Sequence, residues 1–374
     1  MADGGAVSYA PTEDQQLIRA TARRFLYERL GIDKVRELMM SETGFDRVLW
    51  KEMAELGWTG LAVPEDLGGA GLGLVELSVL LEEMGRLVTP GPFLASAVLA
   101  TTLMREVATT EQQQEMIPAL ASGDTIATLA VFETARGWDF ERPDTTASRA
   151  NGGWTVTGAK RSVLDGHLAD LLLVTAASDD GVGVFAVAGD SDAVEIAQEP
   201  VLDPTRRQAA VALDRASAVR LGSGDGTAAL RHALRVATSA LAAEQVGGAH
   251  AAMDMAVEYA KTRYQFGRPI GSYQAIKHRC ANMLMKVEHA RSAAYHAVRV
   301  SGDEAEMAVA APLAGSIASE AFVWVAGENI QVHGGIGFTW EHDAHLYLKR
   351  AKASSLLLGS PRHHRDMLGE ALGI

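Results

Sequence analysis

Between residues 126 and 222 the apolar pattern of this 374-residue chain switches from helical spacing to short β-type runs, then switches back. Strands gathered in one block, without alternating helices, do not build a βαβ sheet, because each parallel crossover needs its own helix. The pattern therefore argues against a dinucleotide fold of the doubly wound kind. It predicts an α+β chain with an N-terminal all-α domain (1–125), a small antiparallel β domain (126–222) and a C-terminal four-helix bundle (223–374).

In the first part, Glu13–Leu30 and Asp46–Leu56 are amphipathic, and Leu74, Leu77, Leu80, Leu81, Met84, Leu87 and Val88 recur at helical spacing. The glycines between Gly68 and Gly73 do not form G-x-G-x-x-G and follow no strand, so they read as a loop. Strand-like runs follow at Thr125–Phe132, Trp154–Thr157, Leu171–Thr175, Val182–Val187 and Ala209–Leu213. The last part reads as one long helix over Thr227–Thr262, with Gly247 and Gly248 as a weak point, then helices over Gln274–Val300, Glu304–Ile330 and His342–Leu357.

Lys plus Arg (34) against Asp plus Glu (47) gives a net charge of −13, which disfavours a nucleic-acid or acidic-membrane surface. No run reaches the ~18 apolar residues of a membrane span. The start lacks the basic and apolar regions of a signal peptide, and the single cysteine, Cys280, fits a reducing cytoplasm. Cys280 has no neighbouring base and reads as a packed helix residue.

Two C-terminal segments carry the chemistry. Arg263–Gln274 sets a guanidinium, an aromatic ring and an amide at a helix-to-turn junction. Gln331–Phe338 sets Gly334 and Gly335 beside a glutamine. A guanidinium gives forked, charge-assisted bonds, and glycine N–H groups let a backbone approach a bulky anion, so the set suits a pyrophosphate. In this order the segments resemble the acyl-CoA dehydrogenase family of flavoproteins, as does the order helices, small β domain, helices. The resemblance implies that Arg263, Phe266, Gln274, Gln331, Gly334 and Gly335 contact the ADP half of FAD in a neighbouring subunit. It also implies an acyl-CoA substrate, an electron-transferring flavoprotein as oxidant and a homo- or hetero-oligomer built as a dimer of dimers.

The elements that hold the flavin ring in this family are altered. The stretch matching Thr–Glu–Pro–x–Ala–Gly–Ser–Asp is Phe132–Asp139, with the larger Arg136 and Trp138. The stretch matching Lys–x–Trp–Ile–Thr/Ser–Asn–Gly is Lys160–Gly166, with Ser162 for Trp and Leu164 for Thr or Ser. The family's usual C-terminal base aligns with Leu358, and a minority's base with Ala237. Glu244 remains, seven residues and about two turns beyond Ala237. Surrounded by Ala and Val, it is expected to have a raised pKa, as suits a base, or to be a buried Glu paired with an Arg. Glu133 is the next carboxylate, structural in the family.

His342 and His345 resemble a metal pair but lack a third ligand, so they read as a polar helix face. His363 and His364, with Arg362 and Arg365, read as a solvated basic cluster, and Trp324 and Trp340 as core. The resemblance leaves three functions open. One is an FAD-dependent acyl-CoA dehydrogenase using Glu244 as base. Another is a partner subunit of a heteromeric dehydrogenase, like the smaller subunits of actinobacterial steroid side-chain enzymes. The last is a flavin-binding member without dehydrogenase activity.

Overall fold

The computed structural model describes residues 11–374 apart from Arg136, Trp138 and Asn151. The larger Arg136 and Trp138, part of the expectation of an altered flavin-ring element, lie outside the described residues. Helix α1 (Glu13–Phe25) starts at a capping box made by Thr12 and Gln15. It runs through a π-turn at Leu26–Leu30 into α2 (Gly31–Met40). Next come α3 (Arg47–Glu55), capped by Asp46, and α4 (Leu74–Arg86). A π-turn at Leu94–Ala100 leads into α5 (Thr101–Val107), and α6 (Thr110–Ala121) closes this part.

Seven strands follow: β1 (Ala127–Ala130), β2 (Thr146–Ala150), β3 (Gly153–Leu164), β4 (Leu171–Ser178), β5 (Gly181–Ala188), β6 (Val194–Gln198) and β7 (Gln208–Leu221). Strands β4, β2, β3, β7 and β5 pair in that order, and β5 returns to β4, so the sheet closes on itself. Strand β6 lies along β7. The pairing is antiparallel except that β1 runs parallel to β4, and β2 touches β4 in parallel at Thr146 and Ala177. Phe185, Val174 and Val211 are among the residues that fill its interior.

The last part begins with α7, which covers Thr227–Thr262 as its sequence suggests. A short hairpin of β8 (Tyr264–Gln265) and β9 (Arg268–Pro269) precedes α8 (Gln274–Arg299), α9 (Glu304–His333), α10 (Ala344–Leu357) and α11 (Pro361–Leu372). The bundle thus carries a fifth helix that periodicity missed. Gly359, at φ +117°, breaks the chain after α10, and Ser360 with Pro361 starts a new helix. By length and composition α9 and the turn after it would cross a bilayer, yet α9 packs between α7, α8, α10 and α11 as the core of the bundle.

The Gly247–Gly248 pair is a contact rather than a weak point. A methyl at Gly247 would lie 1.8 Å from the carbonyl oxygen of Glu82, and one at Gly85 would lie 1.9 Å from that of Glu244. Helices α4 and α7 therefore cross backbone to backbone, which only glycine permits.

Candidate active site

A cavity of about 730 Å³ opens where the sheet faces the C-terminal helices. Its wall includes Leu129 on β1, Ser162 and Leu164 on β3, Arg206 before β7, Leu234 on α7 and Leu358 at the end of α10. A second cavity, of about 410 Å³, lies between α7, α9 and α11, and it shares Leu234 and Leu358 with the first. Among the described residues lining the larger cavity, none is Asp or Glu.

Glu244 sits behind this wall, buried, with its carboxylate fully engaged. Arg206 donates through Nη2 to both of its oxygens, at 2.7 and 2.6 Å, and Arg350 Nη1 donates to Oε1 at 2.8 Å. Arg350 also reaches Asp203 from Nε at 2.7 Å, and Thr205 Oγ1 from Nη2 at 2.7 Å. Burial alone would push the Glu244 pKa up, but the guanidinium groups of Arg206 and Arg350 hold it below the ordinary range. The raised pKa expected from its apolar neighbours in sequence is thus corrected. What the fold supplies is the paired Glu, with cations from distant segments.

Asp165 behaves in the opposite way. Burial pushes it up to about 7, against the pull of Arg206 and Arg350. A carboxyl raised in the fold stabilises the protein below its unfolded pKa of about 3.9, and that contribution disappears as pH rises toward 7. Asp165 has φ +51°, in the left-handed region where Asn is also at ease. Asp165→Asn is therefore expected to raise unfolding free energy by about 1–3 kcal/mol near pH 8, and to flatten its fall between about pH 4 and 7. Urea melts across that range check this; an unchanged slope would show that Asp165 ionises freely.

Glu133, at the sheet's mouth, is structural as expected. It accepts from Lys160 Nζ and Thr145 Oγ1, each at 2.6 Å, and from the backbone N–H groups of Asp144 (2.6 Å) and Thr145 (3.1 Å). Against burial, Lys160 and these bonds hold its carboxyl down at about 2.

The phosphate-type residues form a separate, exposed edge. Tyr259, one turn before the end of α7, stacks on His333 at the end of α9, with ring centroids 4.3 Å apart, and His333 meets His342 at 4.2 Å. The stack joins the end of α7, capped by Arg263, to the end of α9, where Gln331 and Gly334 lie, and Gln274 opens α8. Arg263, Gln274, Gln331, Gly334 and Gly335 are exposed, and Phe266 is 92% exposed at φ +52°. A methyl added at Gly334 or Gly335 would meet nothing within 4 Å, so the backbone there is open to a close neighbour. Tyr264, Ile336, Phe338 and Trp340 are exposed on the same edge.

Residues 12–124 match the family described as acyl-CoA dehydrogenase, N-terminal domain, and residues 224–373 match acyl-CoA dehydrogenase, C-terminal domain. This chain belongs to the acyl-CoA dehydrogenase family. It is similar to the acyl-CoA dehydrogenase IpdE2 of Mycolicibacterium smegmatis, 35% identical over 352 residues that cover 94% of this chain and 96% of the relative. Among solved structures it resembles a variant of the Tcur3481-Tcur3483 steroid ACAD, at TM-score 0.88 and 34% identity, covering 96% of this chain and 98% of the other. It also resembles a chain of the ChsE4-ChsE5 complex from Mycobacterium tuberculosis, at TM-score 0.90 and 29% identity, covering 98% and 99%. Membership makes the chain an oxidoreductase acting on acyl-CoA, with FAD as the family's cofactor.

In this acyl-CoA dehydrogenase Leu358, expected from the resemblance to align with the family's usual base, is a half-buried leucine on the wall shared by the two cavities. Ala237 is buried on α7. Other residues depart from expectation. His364 is buried, not solvated; burial and neighbouring His363 push its pKa down to about 4, and it packs over Gly315 and Gly359. Trp340 is 63% exposed rather than core, with Lys349 Nζ 4.0 Å from its ring, because it lies on the open edge. Trp324 is half-buried under Lys286. No metal-type cluster occurs among the described residues; His342 Nδ1 instead accepts from the N–H of Ala344. Arg206, Arg350 and Asp203 were missed by sequence reasoning. Their local sequence hides them: Arg350 stands between Lys349 and Ala351, and Arg206 beside Arg207, so both read as ordinary solvated charge.

Proposed function

We infer that this chain is one half of a composite acyl-CoA dehydrogenase, lending its exposed edge to the FAD of a sister subunit while its own cavity performs no proton abstraction. The observation that carries the reading is the cavity wall. Abstraction of an α-proton needs a free carboxylate within reach of the substrate. Here the wall has none, Leu358 stands where the family places one, and Glu244 is held by Arg206 and Arg350. That the similar solved proteins include complexes of two different chains supports the same reading.

The edge fits an anionic dinucleotide by its donor set. Arg263 supplies a forked cation, Gln274 and Gln331 supply amides, and Gly334 and Gly335 let backbone N–H groups approach phosphate oxygens. Phe266 and its exposed neighbours supply apolar cover. FAD, once bound, supplies the acceptor for the substrate's β-hydride. An electron-transferring flavoprotein then fits as the oxidant, and a dimer of dimers fits a shared cofactor. Cytoplasmic residence agrees with the single thiol, Cys280.

The chain purified alone is expected to be colourless, and to carry flavin after co-expression with the sister subunit. Arg263→Ala is expected to weaken FAD retention about 10- to 100-fold, the value of one charge-assisted contact, as measured by visible flavin absorbance after dialysis. A lone chain that purifies yellow and is bleached by an acyl-CoA would overturn the reading.

A further inference from the structure

Arg36 belongs to α2, among the N-terminal helices, yet its guanidinium reaches across to the loop between α9 and α10. Its Nε donates to Asp343 Oδ1 at 2.7 Å, and its Nη1 donates to the carbonyl oxygen of Trp340 at 2.8 Å. Both charged side chains are half-buried. Among the described residues Asp343 has no other ion-pair partner, and no other residue of the N-terminal helices hydrogen-bonds to this loop. The loop itself holds little by packing: of residues 334–341 only Gly337 is buried. A segment with so few buried contacts lies at the low end of local stability unless something ties it. Its first end is tied at His333, which stacks on Tyr259 and donates from Nδ1 to the carbonyl of Asn329 at 2.8 Å. At the second end Lys349 covers the Trp340 ring from α10, while the main chain of Trp340 is gripped by Arg36.

We propose that Arg36 is a positioning residue for the dinucleotide: by gripping Trp340 and Asp343 it holds the Gly334–Phe338 turn in the shape that meets the ADP half of the sister subunit's FAD. It acts through the loop, not on the cofactor. The inference rests on the proposed reading of the exposed edge, and it adds the N-terminal helices to the frame that shapes that edge. A guanidinium suits the task because its rigid fork serves a carboxylate and a main-chain carbonyl at once, whereas an ammonium is a single point charge. Stability alone is a poor account of the pair, since partly exposed ion pairs contribute little to it. Pre-forming the turn has a larger return: a site whose competent shape is populated only in part binds more weakly by that fraction.

Spectrophotometric titration of the oligomer co-purified with its sister subunit, depleted of flavin, with FAD and with FMN tests this, because FMN lacks the ADP half. In Arg36→Gln the affinity for FAD is expected to fall about tenfold, with that for FMN unchanged. Arg36→Lys, which keeps one contact, should lose about threefold or less. In both variants the oligomer should keep its size on gel filtration, and its melting temperature should stay within about 2 °C of the wild type. Three results overturn the positioning role: an FAD affinity in Arg36→Gln within about twofold of the wild type, an equal loss of FAD and FMN, or an oligomer that comes apart. Arg263→Ala in the same titration judges the edge separately. If it weakens FAD and Arg36→Gln does not, the edge stands and the positioning role alone fails. If neither variant weakens FAD, or the wild-type oligomer does not take FAD up, both fall together.

Discussion

Arg350→Met is expected to lower the free energy of unfolding by about 4 kcal/mol or more, the largest loss from any single side chain described here. The Arg350 side chain is 1% exposed and joins four separate segments. From α10 it holds Asp203 and Glu244, and through Nη2 it donates to the carbonyl oxygens of Val88 (3.0 Å), Thr89 (3.1 Å) and Thr205 (3.2 Å). Methionine has similar length and apolar content, so lost packing is a small part of the effect. The loss comes from Asp203 deprived of its counter-ion, Glu244 left with Arg206 alone, and three carbonyls deprived of a donor, all buried. Urea unfolding at neutral pH measures it. A change under about 1 kcal/mol would show that the cluster rearranges around the gap. Adding Asp203→Asn alone to the variant should return part of the loss, because Glu244 keeps Arg206 and no carboxylate of the cluster is then left without a cation.

The second large effect is within the sheet, at the Lys160–Glu133 pair. Lys160→Met should cost about 3–5 kcal/mol, since Lys160 is fully buried and Glu133 beneath it loses its only cation among the described residues. The pH dependence separates this from a packing defect. In the wild type the Glu133 pKa is held at about 2, well below its unfolded value. Its contribution is therefore complete above about pH 4.5 and disappears as pH falls toward 2. In the variant the carboxylate is buried without a cation, so its pKa should rise and the variant should recover stability as pH is lowered through about 6 to 5. Two denaturation series, one per protein, decide the matter; parallel pH profiles would mean that the Glu133–Lys160 pair contributes little.

What sequence could tell here follows from the range of the forces involved. Helix α7 was legible because an Ala-rich run, with Gly247 and Gly248 as its one weak point, extends to Thr262, and Arg263 caps it in an extended conformation. The five strands rich in Val, Leu and Ala were found, whereas β2 and β6 were not. Both are short and largely exposed, with little periodicity to read. The π-turns at Leu26 and Leu94 keep helical spacing and so merge with their helices in sequence. The direction of the Glu244 pKa shift was misread for a more general reason. Its sequence neighbours are apolar, but Arg206 and Arg350 reach it across separations of 38 and 106 residues. Desolvation is visible locally, while the charges that outweigh it arrive only with the tertiary fold. The residues of the exposed edge, by contrast, stand out in sequence as glycines, an arginine and amides at helix ends, a pattern that needs no long-range partner to be seen.

The glycine crossing of α4 and α7 has a consequence for how such a protein can change its trade. Where main chains touch, the spacing between the first helices and the bundle is fixed by peptide atoms, whatever side chains are chosen elsewhere. Lining groups such as Ser162, Leu164 and Leu358 can then be exchanged one by one while the scaffold keeps its dimensions. A lineage can thereby lose a reactive group and still present its outer rim to a sibling polypeptide in an unaltered shape.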